Sequence, residues 1–284
     1  MLGYSDQIWA RVGIDMSQVY CQATMNYAVS EMQVNPVTVD IHNGREAQDL
    51  AWQSSGFELI AHTSNMQDWQ SEQELSETYY VEMEAVAKAM SGCDHALIGG
   101  HIHRNPAAAA QHLDYAPIQY VHSDFTETYG DLVRERYLHA EDGAAQALAR
   151  SGLDVSDVMA AKRILILQFW RNIGPSRMDL PLAFCDTRSV PSEDLATFHV
   201  PEYGGEAVPF DTFGVTAPDR EGAHRWYVFP EMQADEAVAF RTYDSDLAEQ
   251  GGHYWTPHSA FTDPCHPGAK SRHSIEVRAT CLFH

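Results

Sequence analysis

The second half of the chain is a series of short apolar runs cut apart by turn residues: 164–170, 182–185, 226–229, 237–243 and 275–283. Each is rich in branched and aromatic residues and bounded by Gly, Pro or Asp, which is how a strand is written in sequence. Many such strands in succession fold as two facing sheets, in a sandwich or jelly roll. The first half adds an alternating run at 37–41, with Asn43-Gly44 as a turn after it, and a second strand at 57–62. Residues 1–35 carry Tyr4, Trp9, Val12, Ile14, Val19 and Tyr20 without a clear period.

Two helical regions interrupt the strands. Ser71-Glu72-Gln73-Glu74 is a capping box. It opens a helix to about Met90, whose Leu75, Tyr79, Met83, Val86 and Met90 recur at helical spacing as a core-facing stripe. Ser91-Gly92 closes it. A second region, about 127–161, is rich in Ala, Arg and Glu and broken at Ser151-Gly152. Its charges predict a solvated face. With no internal repeat or low-complexity linker, residues 1–284 are expected to form a single elaborated domain, with 127–161 as a helical insertion.

Charge narrows the partners. Eighteen basic against forty acidic residues leave a net −22. That disfavours nucleic acid, whose binding rests on Lys and Arg neutralising phosphates, and anionic membrane surfaces. No signal peptide is legible at the start, and no run reaches the ~18 apolar residues of a spanning helix. The five cysteines (21, 93, 185, 265, 281) are widely spaced without a CxxC pair. They predict reduced thiols in a cytoplasmic protein rather than a disulfide framework or a zinc site. A small-molecule partner is expected, and oligomerisation stays open.

The chemistry is concentrated in residues 118–126. As a strand, this stretch puts Ile118, Tyr120, His122 and Asp124 on one face, so an imidazole and a carboxylate can point at one ion. Two histidines and a carboxylate with open positions are the facial triad of non-haem Fe(II) oxygenases. With 15 His and 21 Asp in 284 residues, roughly one His-x-Asp arises by chance, the standing risk of a short motif. A second pair, His112-Leu113-Asp114, precedes the turn-like Tyr115-Ala116-Pro117, whereas His122 and Asp124 end an apolar run. The third ligand must come from elsewhere: His258, beside Pro257, is the leading candidate, with His224 and His253 as rivals. His101 and His103 also share a strand face and form a conceivable cupin-type metal pair. Farther on, Arg272, Ser274, Glu276 and Arg278 fall on one strand face, opposite His273, Ile275, Val277 and Ala279. If the apolar face packs outward, the guanidinium groups look into the barrel, where they need anionic partners. An exposed edge strand with ordinary Arg–Glu pairs is the plain alternative.

Several stretches in order resemble one family: Val121 to Thr126, Phe169 to Ile173, Pro181 to Asp186 and His224 to Met232, followed by Tyr243 to Asp246, Pro257 to Phe261 and Arg272 to Arg278. This is the hydroxylase/desaturase family of gibberellin desaturase-like, AsaB and CmcJ proteins, and the resemblance spans roughly 35–283. It implies a mainly β double-stranded β-helix (jelly roll) with flanking helices. It also implies dependence on Fe(II), 2-oxoglutarate and O2. His122, Asp124 and His258 would be the metal ligands, and Arg272 and Ser274 would grip the distal carboxylate of 2-oxoglutarate, with Arg278 as rival to Arg272. Gln168, Trp170, Arg171 and Tyr227 are the candidate pocket walls. The reaction implied is hydroxylation, desaturation or cyclisation of a small secondary metabolite. His273 stands where the family usually has an acidic residue, and the gap from Asp124 to His258 is long. Two other readings stand beside it: a cupin-like metal lyase or isomerase built on His101, His103 and His122, and an accessory partner of a tailoring methyltransferase.

Overall fold

In the computed structural model, which describes residues 19–31, 33–140 and 143–284, the apolar runs are strands. Tyr4, Trp9, Val12 and Ile14 lie outside the described residues. In chain order the strands are β1 Val19–Ser30, β2 Gln33–Asn43, β3 Phe57–Ala61, β4 His95–Leu97, β5 His101–Arg104, β6 His122–Ser123 and β7 Arg163–Asn172. They continue as β8 Leu182–Cys185, β9 Leu195–Val200, β10 Phe210–Val215, β11 Trp226–Val228, β12 Glu236–Asp244, β13 His258–Ala260 and β14 Ser274–Phe283. One sheet runs β1-β2-β11-β8-β13-β6-β10-β9; the other runs β3-β12-β7-β14-β4, with β5 also on β14. The two sheets form the jelly roll expected from the run-and-turn pattern.

The central strands of the second sheet are buried on both faces, which is why 164–170 reads as a continuous apolar run and not as an alternation. Leu165, Leu167 and Phe169 of β7 join Ile275, Val277, Ala279 and Cys281 of β14 in a cluster with Leu75, Tyr79 and Met83. Those last three belong to the first helical region, which begins at Glu72–Glu74, passes through a π turn at Leu75–Tyr79 and continues as α1, Tyr80–Ser91. The capping box is half made. The Ser71 hydroxyl accepts from the Glu74 amide at 3.2 Å, while the Glu74 carboxylate turns to the amides of Gln67 and Asp68. Gly92, at φ 71°, ends α1 in the left-handed conformation that glycine adopts without steric cost.

Opposite parity on β7 sends Gln168, Trp170 and Asn172 toward the other sheet, where Trp170 packs with Phe57, Phe184 and Phe240. The helical insertion is three helices, α2 Tyr129–Leu138, α3 Ala144–Ser151 and α4 Val155–Ala160. Of its charges Asp131 and Glu135 are exposed as expected, but Arg136 lines an interior cavity and Arg150 turns inward to Glu84. The insertion's apolar face is not incidental: Tyr129, Val133, Tyr137, Leu148 and Val158 are buried in one cluster with Leu97, Ile166, Tyr243 and Leu282. Among the described residues, no helix is long and apolar enough to cross a membrane.

Candidate metal centre

Of the strand expected over 118–126, only His122–Ser123 is regular strand, paired with β10 and β13, while Val121 and Ile118 make single backbone hydrogen bonds to Asn26, Val215 and Ala260. The alternation nonetheless holds beyond it: Ile118, Tyr120, His122 and Asp124 all line one cavity. The register then supplies the third ligand. On the β13 side His122 faces His258, and on the β10 side it faces Gly214. Directly opposed residues of an antiparallel pair put their side chains on the same face, a few ångströms apart. The two imidazole centroids are accordingly 4.3 Å apart.

Both rings are aimed by backbone carbonyls. His122 Nδ1 lies 2.7 Å from the Tyr120 carbonyl and His258 Nδ1 2.9 Å from that of Thr256. A carbonyl only accepts, so each Nδ1 carries a proton and each Nε2 is the ring nitrogen left to face the Asp124 carboxylate. Those Nε2 atoms lie 3.5 and 3.6 Å from the same oxygen, Asp124 Oδ1. The other carboxylate oxygen, Oδ2, accepts from Arg278 at 3.2 Å. Burial acts to raise the Asp124 carboxyl, but Arg278 and the two histidines outweigh it and hold it well below the usual carboxylate range. Burial and the neighbouring His122 push the His258 imidazole down to about 4. Two imidazoles and one carboxylate, each held by a second partner, are the oriented donors a divalent cation requires. Their ligand atoms all lie within 4.8 Å of one another, and no other such group of three occurs among the described residues. The donor set of two nitrogens and one oxygen suits ferrous iron.

The remaining histidines fall elsewhere. His224 is held by Asp194 at 2.9 Å and Tyr27 at 3.3 Å in a buried network of its own. His253 packs at a tilt against the Trp255 ring. His112 and Asp114 sit in the expected turn, where the Asp114 carboxylate is taken by the Gly204 amide at 2.7 Å. On β5, His101 faces Val277 and His103 faces Ile275 across the ladder. Both imidazoles therefore lie on the sheet's outer face beneath α1, with the Tyr80 hydroxyl 2.7 Å from His101 Nδ1. They are not brought together with His122.

The parity argument for β14 holds: Glu276 and Arg278 line the cavity, and Ile275 and Val277 pack outward. The two candidate arginines differ in how they are partnered. Arg278 donates to Gln168 Oε1 at 2.9 Å and to Asp124, with Glu276 at 3.7 Å. Arg272 is 2% exposed. Its guanidinium carbon lies 5.5 Å over the Trp170 ring and Nη1 donates to the Leu180 carbonyl at 3.2 Å. Asp179 is spent on the Arg272 backbone amide and Glu276 on Arg104. Arg272 Nε and the neighbouring Ser274 hydroxyl are buried without a partner. Burial and the nearby Arg104 push the Arg272 guanidinium down to about 9. A buried cation with an idle N–H beside an idle hydroxyl fits a carboxylate supplied from outside.

The cavity has a volume of about 590 Å³. Of the four wall candidates, Gln168 supports Arg278 and Trp170 stacks on Arg272. Arg171 and Tyr227 face elsewhere. Arg171 is one residue out of phase with the interior: it donates to the carbonyls of His62 and Ala234 on the outer face. Tyr227 packs on His42 and Phe57. The walls are instead Tyr120, Phe125 and Phe198, with Tyr129, Val133 and Tyr137 of α2. The last three recur at i, i+4 and i+8, a stripe that was there to be read beneath the Arg and Glu of the insertion. Phe198 carries no comparable signal.

Gly214, opposite His122, is what gives this wall its shape. A Cβ at that position would collide with the Phe198 ring and the Tyr120 hydroxyl. Gly214→Ala is expected to displace both rings into the cavity and to cost ~1–3 kcal/mol of stability as an overpacked site. Chemical denaturation of the variant checks this; an unchanged midpoint would contradict the packing described.

A jelly roll that holds two histidines and an aspartate around one point, each with its own orienting partner, defines the mononuclear non-haem metal proteins as the class. The family described as an oxidoreductase/YMDC permease-like domain matches residues 11–282, and the chain belongs to it. The hydroxylase/desaturase efuI of Hormonema carpetanum is 29% identical over 268 residues, covering 87% of this chain and 82% of that protein. The alpha-ketoglutarate-dependent dioxygenase tstK of Talaromyces stipitatus is 26% identical over 272 residues, covering 91% and 89%. Among solved structures, a variant of the iron and alpha-ketoglutarate-dependent endoperoxidase NvfI superposes with a TM-score of 0.71 at 20% identity, covering 95% of this chain and 99% of that one. The hydroxylase/desaturase resemblance drawn from the motifs is thereby met, and so is the jelly roll.

Proposed function

We propose that the chain is an Fe(II)- and 2-oxoglutarate-dependent dioxygenase that hydroxylates, desaturates or cyclises a small secondary-metabolite substrate in the cytoplasm. One observation carries the reading. Two imidazole nitrogens and a carboxylate oxygen converge on a point at the floor of a cavity, and in the same barrel interior a buried guanidinium and hydroxyl wait for a carboxylate. His122, Asp124 and His258 hold the iron; Arg272 and Ser274 take the distal carboxylate of 2-oxoglutarate. The bound iron, with O2 and 2-oxoglutarate, supplies the oxidising power that removes hydrogen from an unactivated carbon, with succinate and CO2 as co-products.

The chain's own residues do the rest. The Tyr120 and Thr256 carbonyls fix which nitrogen of each imidazole faces the metal. Arg278, itself held by Gln168, keeps one carboxylate oxygen of Asp124 occupied so that the other serves the iron. The aromatic walls hold the target bond at the floor and keep water away from it.

The test uses oxygen-free protein loaded with Fe(II). Adding 2-oxoglutarate is expected to produce a visible metal-to-ligand absorption band. Colourless protein with iron bound would end the 2-oxoglutarate assignment; failure to take up iron would end the metal assignment.

A further inference from the structure

The cavity floor and rim carry five carboxylate residues, Glu31, Asp114, Asp124, Glu206 and Glu276, against three arginines. Each basic group that lines the cavity already has a partner. Arg278 holds Gln168 and Asp124. Arg104 is bound to Glu276 at 3.1 Å and to two backbone carbonyls. Arg136 donates to the Tyr129 hydroxyl at 3.3 Å and lies over that ring. His199 is paired with Asp211 at 2.8 Å, and the imidazole of His101 is turned out of the cavity onto the Tyr80 hydroxyl at 2.7 Å. An anionic group entering here would lose its water, meet no uncommitted cation, and approach carboxylates instead. The walls between these charges are ring faces, which offer area and edge-to-face contact to a rigid ligand.

One wall atom stands apart. The Tyr120 hydroxyl is buried and has no hydrogen-bond partner. Its ring shares a strand face with His122, and the two ring centroids are 6.4 Å apart. A buried hydroxyl left unpaired is costly, and it is repaid when a ligand supplies the partner.

From these observations we infer that the organic substrate is a neutral, ring-bearing molecule, and that the Tyr120 hydroxyl anchors it by hydrogen-bonding a polar oxygen near the reacting end. The inference rests on the oxygenase reading only for what happens to that end, since the binding itself needs no metal. Tyr120 is thus a positioning residue, and 2-oxoglutarate, an anion, is exempt because Arg272 and the metal receive it.

The experiment uses the full chain in EDTA, so that failure here is separate from failure of the iron assignment. Three probes of one shape are titrated by fluorescence: pyrene, 1-pyrenemethanol and 1-pyrenesulfonate. Pyrenemethanol is expected to bind saturably and at least tenfold more tightly than the sulfonate. Tyr120→Phe should weaken pyrenemethanol about fivefold, the worth of one ordinary hydrogen bond, and leave pyrene unchanged. Ile118→Trp, which fills the cavity from the strand side, should abolish binding of all three while the circular dichroism stays native. Tighter binding of the sulfonate, or no binding of any probe, overturns the substrate class. Equal weakening of pyrene and pyrenemethanol by Tyr120→Phe overturns the anchor. Binding that survives Ile118→Trp places the probe elsewhere and overturns both.

Discussion

His122→Ala yields a folded protein that takes up no iron and releases no succinate. The expectation follows from the geometry of the triad. His122 stands directly opposite His258 across the ladder, and its Nε2 shares the Asp124 oxygen with His258. Its removal leaves one imidazole and one carboxylate, too few to hold a ferrous ion against water. Loss of a mere orienting partner typically costs ~10–100-fold in metal affinity, so loss of a ligand should exceed that range. The comparison that gives the result meaning is His112→Ala, in the other His-x-Asp pair. His112 sits in a turn and contacts no triad member, so its removal should leave iron content and 2-oxoglutarate turnover within about twofold, as surface changes usually do. Iron analysis after anaerobic loading, with succinate measured alongside, reads both variants. A His122→Ala protein that still binds iron one to one sinks the centre described.

What could be read from sequence divides along the range of the physics. Strand runs and the helix at 72–91 were legible because alternation, helical spacing and capping are local. So was the pairing of His122 with Asp124, since two residues on a strand share a face whatever lies around them. His258 was only a leading candidate because its place depends on one pair in the ladder between β13 and β6, which no local pattern encodes; the ordered motifs of the family favoured it. Two wall residues went astray for a related reason. Arg171 follows Trp170 directly, and a single residue of phase turns it from the barrel interior to the outer face under the first helix. Tyr227 is apolar enough to be a wall but is claimed by the cluster around Phe57. The insertion was read by its charges, while Tyr129, Val133 and Tyr137 beneath them close the cavity.

The choice between Arg272 and Arg278, which the strand pattern left open, is decided by separating two readouts. Arg272 has no carboxylate of its own, and its idle Nε lies in the interior with the idle Ser274 hydroxyl. Arg278 is committed to Asp124 and Gln168. Arg272→Met should therefore raise the KM for 2-oxoglutarate steeply. Truncating one partner of a buried, hydrogen-bonded charge pair costs ~2–5 kcal/mol, or ~30-fold and upward. Iron affinity should hardly move. The same variant should be no less stable than wild type without ligand, because an apolar side chain of similar length replaces a buried cation, a change that is often neutral or stabilising. The rise in melting temperature on adding 2-oxoglutarate, which mass action demands of wild type, should vanish in it. Arg278→Met should show the opposite pattern: iron affinity down by ~10–100-fold, as for an outer partner of a ligand, with a smaller effect on the KM for the co-substrate once iron is saturating. Melting curves with and without 2-oxoglutarate, plus iron titrations, distinguish the two. An Arg272→Met protein that saturates with 2-oxoglutarate like wild type would transfer the carboxylate clamp to Arg278 and leave the buried guanidinium as a structural tie to Trp170.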